Sequence, residues 1–274
     1  MWVSKREVEQ LSDYVKGFSS EDETDIRDNK EGAFSILKND IYSLVSMKNE
    51  QLKNAKKQRD VLAEYMADIS HQLKTPITSM MIMADLLEEA SDDKREEFVH
   101  NIKLSLSKME WLVETLLKMA KIDAKAVAFS KESMKVSELL AGVRPGIDIL
   151  LDINNQTIEM VNDSTISCDR RWTMEAFSNI IKNALEHSPN GGVIRIDSGS
   201  NPMYEWIAIK DSGAGMNRRD LGVLFNRFEY STNENGYGIG MPLALSIMKG
   251  QNGDIDIDYG GNGQGATFIM KFFK

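Results

Sequence analysis

The sequence predicts an α+β protein in which a long antiparallel helical hairpin precedes a two-layer α/β sandwich. Three observations predict this order. Apolar residues recur at alternating intervals of four and three through much of the first half, and a polar break near Ser91 divides them into two runs. Beyond residue 135 the pattern changes to short β-like runs that alternate with helical runs. Alternation on this scale is typical of helices packed on a mixed sheet.

The first helix of the hairpin is predicted to begin near Ala33 and to end near Ala90. Its apolar residues form a heptad seam, which indicates a helix that packs along another helix. The seam consists of Val45, Leu52, Leu62, Met66, Ile69, Leu73, Met80, Met83 and Leu87. If Met66 is position a, His71 falls at position f, farthest from the seam. We therefore expect the His71 imidazole to face water, whereas a structural histidine usually faces the core.

A polar break and a second apolar run predict the other helix of the hairpin. Ser91 can cap a helix N-terminus, and Asp92 and Asp93 would stabilise its first turn. The helix is predicted over residues 93–123. Its apolar face consists of Phe98, Ile102, Met109, Leu112, Leu116 and Met119. The seam of such a hairpin is too wide for one partner, so we expect two chains to form a four-helix bundle and the protein to be a homodimer.

The remaining segments are assigned from composition and pattern. Residues 3–16 are predicted to form a short amphipathic helix, and the acidic stretch 17–30 to connect it to the long helix. Residues 125–135 are predicted to be a linker and residues 136–274 a separate domain. Strands are expected there at 157–161, 193–197, 206–210, 255–259 and 266–272, and helices at 136–151, 170–186, 217–224 and 242–249.

Composition narrows the classes of function. The net charge of −9 argues against a nucleic-acid-binding surface. Cys168 is the only cysteine, so neither an intramolecular disulfide nor a cysteine zinc cluster can form. The sequence has no apolar run of about 18 residues, the length that crosses a bilayer. If the chain belongs to a membrane receptor, the spanning segment is expected upstream of Met1.

Two motifs of the second half contain residues suited to a nucleotide. Asn179 and Asn183 are four residues apart and share one face of a predicted helix. Their amide oxygens are hard neutral ligands that suit Mg²⁺, although two polar residues on an exposed face would give the same pattern. Asp211 follows a predicted strand and precedes Gly213 and Gly215. A carboxylate there can accept from an exocyclic amine while the glycines let the backbone approach a flat base, but alone this is a common turn.

Two further motifs contain residues suited to phosphate. Arg227 lies between Phe225 and Phe228, which can anchor a loop while the guanidinium points at phosphate. The glycines at 236, 238 and 240 open a predicted helix, whose N-terminus favours an anion. A last glycine pair, at 263 and 265, precedes the final strand.

The stretch Ser70-His-Gln-Leu-Lys-Thr-Pro76 closely resembles the H-box of sensor histidine kinases. The later motifs resemble the N, G1, F, G2 and G3 boxes of the GHKL ATP-binding fold of those kinases, in the right order and spacing. The resemblance covers about residues 40–274. More loosely, residues 1–60 resemble a HAMP-type signal relay, and a solvated linker with a coiled-coil extension is the alternative.

The resemblance implies a role for each matching residue. It makes His71 the phosphoacceptor, assigns Mg²⁺ to Asn183 and Asn179, and places Arg227 near the γ-phosphate of ATP. Asp211 would bind the adenine amine. The other residues expected to contact ATP are Lys182, His187, Gly213, Gly215, Met216, Phe225, Gly236, Tyr237, Gly238, Ile239, Gly240, Met241 and Thr267.

Four positions near these motifs bear on the assignment. Gln72 follows the histidine where the family usually has an acidic residue, so we expect it to orient the imidazole rather than to accept a proton. Glu186 stands where many family members have a lysine that reaches the phosphates, and His187 where many have a tyrosine that lines the adenine. Lys182 could partly substitute for that lysine, but helical spacing makes it face another way. Thr75 matches the residue that places an attacking water in members with phosphatase activity. The alternative is that threonine is simply a preferred residue before proline.

The function implied is that of a sensor histidine kinase, which transfers phosphate from ATP to His71 and then to an aspartate of a response-regulator receiver domain. We expect this chain to be the cytoplasmic portion of a cell-membrane receptor. The alternative is a degenerate scaffold or phosphatase that binds nucleotide without kinase activity. Whether the ATP domain serves the histidine of its own subunit or of the other depends on bundle handedness near residues 92–94, so both remain open.

Overall fold

The computed structural model describes residues 5–16, 25–27, 33–88, 90–229, 238–260 and 265–274. The chain divides into two compact units, Met1–Ser70 and His71–Lys274. The first unit contains α1 (Lys5–Lys16) and the first part of α2 (Ala33–Leu86). Both helices confirm the predicted ones, whereas the connector expected at 17–30 lies mostly outside the described residues. No described helix is long and apolar enough to cross a bilayer.

The second unit contains the rest of α2, the hairpin partner and the sandwich, which confirms the α+β architecture. The elements after α2 are α3 (Asp92–Asp123), β1 (Glu132–Lys135), α4 (Val136–Val143), α5 (Asp148–Ile153), β2 (Thr157–Met160), β3 (Thr165–Cys168), α6 (Arg170–His187), β4 (Val193–Ser200), β5 (Tyr204–Lys210), α7 (Arg218–Val223), α8 (Gly240–Gly250), β6 (Gly253–Asp258) and β7 (Thr267–Phe273).

One layer of the sandwich is a five-stranded mixed sheet with the order β2-β4-β5-β7-β6. Strand β2 runs parallel to β4, and the other neighbours are antiparallel. Alternate residues point to one buried face, as the period of two in a strand requires. That face includes Ile194, Ile196, Ile207, Ile209, Phe268, Met270 and Phe272. Cross-strand pairs such as Ile209 with Phe268 hold the register of β5 and β7.

The other layer consists mainly of α4, α6 and α8; α6 contacts both α4 and α8, and α6 and α8 contact the sheet. Each places apolar residues in the common core, including Leu139 of α4, Phe177 of α6 and Ile247 of α8. Helix α6 begins at Arg170 because Asp169 caps it, accepting from the backbone N–H of Trp172 at 3.0 Å. This helix and the start of α8 carry two of the predicted nucleotide motifs.

One predicted helix is interrupted at its proline, and two strands differ from the sequence expectation. The helix predicted over 136–151 is divided into α4, a 3₁₀ turn at Arg144–Gly146 and α5, an interruption that the sequence Pro145-Gly146 predicts. Pro145 explains the division, because it cannot donate a helical hydrogen bond. Strands β1 and β3 were not predicted. They pair as a two-stranded antiparallel sheet, and β1 lies within the stretch expected to be a linker.

The C-terminal half of α3 packs against α8 and buries Leu112, Met119 and Ile122. The chain after α3 also binds the sandwich. The Phe129 ring lies 5.9 Å from the Trp172 ring, and the Ser130 N–H donates to Asp169 Oδ2 at 2.9 Å. Phe129 and Ser130, which lie in the stretch expected to be a linker, therefore already contact the sandwich.

Candidate nucleotide-binding and phosphoacceptor site

Asp211 lies directly after β5, as predicted, and only 4% of it is exposed. Its Oδ1 accepts from the backbone N–H of Gly213 at 2.8 Å, and its Oδ2 from that of Ala266 at 3.1 Å. The Asp211 N–H in turn donates to the Ala266 carbonyl at 3.0 Å. These bonds fix the carboxylate where β5 meets β7, and each oxygen retains capacity to accept another hydrogen bond.

The two glycines after Asp211 allow close contacts between backbones. A Cβ at Gly213 would collide with the carbonyl oxygen of His187, at the end of α6. Gly215 has a φ of +80°, which costs free energy for any residue with a side chain. A Cβ there would also collide with the carbonyl oxygen of Gly260. The loop after Asp211 therefore lies against both α6 and the end of β6, with no side chain of its own at these two positions.

Asn179 and Asn183 lie on a half-buried face of α6, beside the buried Ile180, Ile181, Ala184 and Leu185. The Asn183 Nδ2 atom is buried and lacks a hydrogen-bond partner among the described residues. A Cβ on Gly240 would lie 3.3 Å from Asn179 Oδ1. The two motifs predicted to hold metal and phosphate are therefore adjacent, because α8 begins beside the amide of Asn179.

Helix α8 begins at Gly240, as the glycine-rich motif predicts. Gly238 has a φ of +63°, and its carbonyl accepts from the Phe228 N–H at 3.2 Å. Ile239 and Met241 are buried, and Pro242 occupies the first turn, where its missing N–H costs no helical bond. The predicted contacts at Gly236 and Tyr237 lie outside the described residues.

Three other predicted contacts lie on elements that border this region. Met216 is half-buried and donates its backbone N–H to the Tyr259 carbonyl at 3.0 Å. Thr267 opens β7 and is half-buried, and His187 is the last residue of α6. Gly213 thus contacts both Asp211 and His187 at the C-terminal end of α6, and Gly215 lies beside Gly260. About two turns earlier on α6, Asn179 contacts Gly240 at the start of α8.

Arg227 has a carboxylate partner that the sequence does not predict. It lies in the loop after α7, between Phe225 and Phe228, which pack against the core as predicted. Its Nη2 donates to Oδ2 of Asp123, the last residue of α3, at 2.6 Å. The guanidinium expected to contact phosphate is therefore bound to a carboxylate in this structure.

His71 lies on α2 and is exposed, which confirms the orientation expected for position f. Thr75 is also exposed, and its hydroxyl donates to the His71 carbonyl at 3.3 Å. Gln72 is half-buried. In the part of the chain that the structure describes, these three side chains make no hydrogen bond to the residues around Asp211 or Asn179. The structure thus presents an accessible imidazole and, separately, a candidate nucleotide site.

Comparison with known families assigns both parts. Residues 61–125 match the His Kinase A (phospho-acceptor) domain. Residues 168–274 match the family of histidine kinase-, DNA gyrase B- and HSP90-like ATPases. Together the two matches support a two-component sensor histidine kinase. The first match contains His71, and the second contains both asparagines, Asp211 and the start of α8.

Individual proteins agree with this assignment. Sporulation kinase C of Bacillus subtilis is 29% identical over 224 residues, which are 80% of this chain and 51% of the relative. The chain thus spans about half the length of that curated relative. The histidine kinase ThkA, solved in complex with the response regulator TrrA, has a TM-score of 0.64 at 20% identity over 83% of this chain and 66% of that one. Full-length ShkA in complex with AMPPNP has a TM-score of 0.57 at 21% identity over 76% and 45%.

A basic groove of about 630 Å³ lies beside Asn179. Asn179 and Lys182 both line it, so Lys182 shares a surface with the predicted metal ligand despite its position on the helix. Arg170 and Arg171 from the first turn of α6 add positive charge, and Lys118 of α3 forms an ion pair with Glu175 at 2.9 Å. The groove therefore offers cations next to the end of the site where phosphates are expected.

Several site residues were not found by sequence reasoning. Ala266 holds Asp211 through its backbone N–H, which no side-chain motif reveals. The Ser188 hydroxyl accepts from the Ser212 N–H at 3.1 Å, and the Ser212 hydroxyl accepts from the Val193 N–H at 3.1 Å, so two small residues brace the loop. The sequence predicts Asp123 only as the end of a helix. Because a negative charge at a helix C-terminus is unfavourable in the helix dipole, this position could have indicated a cationic partner.

Proposed function

We propose that this chain is a protein-histidine kinase, which binds ATP at the Asp211 edge of the sandwich and transfers the γ-phosphoryl group to His71. The observation that carries the proposal is the arrangement around α6. The fixed Asp211 carboxylate at one end of this helix suits the base of ATP. The amides of Asn179 and Asn183 suit its metal ion, and the glycine-rich N-terminus of α8 beside them suits its phosphates. The exposed His71 on the hairpin supplies an acceptor.

Asp211 suits the adenine end of the nucleotide. Its two oxygens are fixed by backbone N–H groups and can still accept from an exocyclic amine. Gly213 and Gly215 keep the adjacent surface free of side chains, so a flat ring can lie close to the backbone. ShkA is described in complex with AMPPNP, an analogue of ATP, which supports this assignment for a chain of the same fold.

Asn179 and Asn183 suit Mg²⁺ at the phosphate end. The buried Asn183 Nδ2 without a partner supports the fit, because a half-turn of the amide exchanges it with Oδ1, an oxygen ligand of the kind that Mg²⁺ accepts. A bound Mg²⁺ would neutralise phosphate charge as the bond to the leaving oxygen breaks. Lys182 and the α8 N-terminus would add positive charge at the same end.

The transfer itself requires little from the protein beyond positioning and charge. A lone pair on one imidazole nitrogen of His71 forms the N–P bond, and the bond between the γ-phosphorus and the β–γ bridging oxygen breaks. ADP leaves with that electron pair, and the ring releases its remaining N–H proton to solvent or a nearby carboxylate. Gln72 cannot take that proton, so we assign it the role of orienting the ring.

The hairpin supports the partners we propose. Exposed apolar residues on α2 and α3 include Ile77, Met81, Leu106, Val113 and Leu117, which a second hairpin would cover in a homodimeric four-helix bundle. ThkA is described in complex with a response regulator, which supports a receiver-domain aspartate as the next phosphoryl acceptor. We further propose residues 61–124 as the dimerising hairpin, 1–60 as a signal relay, and a cytoplasmic position below an upstream membrane anchor.

The decisive experiment is incubation with γ-labelled ATP and Mg²⁺, followed by tests of acid and base stability. We expect acid-labile, base-stable label on the wild type and none on His71→Ala. His100→Ala is the matched control, because His100 is also an exposed histidine of the hairpin, on α3, and should keep full labelling. Bound ATP without any label on the wild type would contradict the kinase and favour the degenerate scaffold or phosphatase.

A further inference from the structure

Two ion pairs of opposite polarity join α3 to the ATP-binding half of the kinase. Near the end of α3, the Asp123 carboxylate accepts from Arg227 at 2.6 Å. Between one and two turns earlier, Lys118 donates to Glu175 of α6 at 2.9 Å. The buried Met119 and Ile122 lie between these residues in sequence. Each surface thus presents one acid and one base to the other.

The Arg227 pair is the less expected of the two. The Arg227 side chain is only 16% exposed, whereas its partner Asp123 is 48% exposed. Lys118 and Glu175 are 31% and 32% exposed. Asp123 ends α3 with a negative charge at the negative end of the helix dipole, an arrangement that costs free energy unless a cation is near. Arg227 supplies that cation, which explains why an aspartate is tolerated at this position.

Arg227 also belongs to the nucleotide site by its position in the chain. The next residue, Phe228, has a φ of +64° and donates its N–H to the Gly238 carbonyl. Gly238 lies two residues before Gly240, which contacts Asn179. Hydrogen bonds and contacts therefore link the Arg227 loop to the start of α8, where phosphates are expected. The guanidinium presents one planar set of donors, which favours one anion at a time.

We propose that Asp123 is a positioning residue that competes with the γ-phosphate of ATP for Arg227. This inference rests on the proposed function. When Arg227 binds Asp123, the ATP-binding half stays on α3 and the guanidinium is withheld. When ATP supplies a γ-phosphate, Arg227 exchanges one anion for the other, and the contact with α3 is broken. ADP has no γ-phosphate and leaves the pair intact.

The competition predicts a selective change in nucleotide affinity. In Asp123→Asn the amide keeps the size of the side chain but not its charge, so α3 competes less strongly with phosphate for Arg227. We expect ATP to bind roughly three- to fivefold more tightly than to the parent protein, the upper part of the range that loss of a partly exposed ion pair allows. ADP affinity should change by less than about twofold. The ratio of the ADP to the ATP dissociation constant therefore rises.

The test is calorimetric titration of the full chain with Mg²⁺–ATP and Mg²⁺–ADP, in a His71→Ala background so that no phosphoryl group is transferred. Met119→Ala is the control, because it weakens the packing of α3 across the same surfaces without changing a charge or touching Arg227. It should leave the nucleotide ratio unchanged. In an Arg227→Gln background, Asp123→Asn should lose its effect on the ratio. Asp123→Ala provides a second variant should the amide not fold.

The outcomes separate the two proposals. If both nucleotides bind to Asp123→Asn with an unchanged ratio of the ADP to the ATP dissociation constant, the competition is overturned and the kinase assignment stays intact. An equal rise in Met119→Ala would also overturn it, since release of the interface alone would then explain the effect. Failure of the parent protein to bind either nucleotide would overturn both proposals.

Discussion

At the scale of single residues, the site depends on side chains whose geometry is set by backbone groups of other elements. Asp211 shows this most clearly, because N–H groups from its own turn and from the start of β7 hold its two oxygens. A residue so constrained has little freedom to adapt to a different base. We therefore expect it to determine adenine selectivity as well as affinity.

Substitution of Asp211 by Asn should weaken ATP binding by about 10- to 100-fold. A hydrogen bond to a charged acceptor contributes about 1.5–3 kcal/mol, and 1.4 kcal/mol corresponds to tenfold. Titration with Mg²⁺–ATP measures the change. Asp197→Asn is the control, since Asp197 is a carboxylate of the same sheet bonded to Asn162 at 2.8 Å and not to the site. Unchanged ATP affinity in folded Asp211→Asn would rule out this role.

At the scale of elements, several boundaries depend on contacts distant in sequence. Helix α4 is preceded by Lys135, which makes no capping bond. Its first turn is instead capped by Asp163, from the turn between β2 and β3. Oδ1 accepts from the Ser137 N–H at 2.9 Å and Oδ2 from the Ser137 hydroxyl at 2.8 Å. The helix and a turn of the sheet thus stabilise each other.

This cap should make stability depend on pH. The hydrogen bond from the Ser137 N–H, with help from the Ser137 hydroxyl and Lys135, lowers the pKa of Asp163. A lowered pKa contributes stability above the ordinary aspartate value of about 3.9, and that stability is lost as pH falls through the folded value. Asp163→Asn should reduce the free energy of unfolding by about 0.5–1 kcal/mol at pH 7. Urea unfolding at several pH values should show the difference vanish in acid.

A constant difference between wild type and Asp163→Asn down to pH 3 would contradict the cap. Glu159→Gln is a suitable comparison, since Glu159 lies nearby on β2 and pairs with the exposed Arg195. Exposed pairs contribute at most about 1 kcal/mol and often much less. Its substitution should therefore leave the pH profile close to that of the wild type.

Most helices could be predicted from the sequence, but two short strands could not. The helices α2, α3, α6 and α8 have clear apolar periods and end signals, and their positions were found within a few residues. Strands β1 and β3 could not be found, because each has only four residues and their pairing joins segments about thirty residues apart. Burial of Met134 and Ile166 in the shared core stabilises them, and such contacts leave no local pattern.

The candidate site was predictable to a similar degree. Asp211, Asn179 and Gly240 could be assigned because their motifs occur in a fixed order, and the structure places Gly240 against Asn179. The partner of Arg227 could not, because the pairing with Asp123 spans more than a hundred residues. A motif specifies which chemical group is present, but its partner at a given moment depends on tertiary packing.

At the scale of the whole molecule, the single cysteine reports on the integrity of the ATP-binding half. Cys168 is fully buried in β3, and burial raises the pKa of its thiol to about 11. Both features suppress the thiolate that reacts with disulfide reagents. We expect the native protein at pH 8 to react with such a reagent only through opening of this half, and the protein in concentrated urea to react at once. Fast labelling of the native protein would contradict the buried position.

The short connection after α3 sets the reach of the ATP-binding half. Asp123 ends the helix and Phe129 is already seated on Trp172, so only residues 124–128 lie between them. Five extended residues span about 17 Å. Such a tether keeps two surfaces at an effective concentration in the millimolar range. Rebinding to α3 would then be a first-order event, and the fraction of engaged molecules would not change when the protein is diluted.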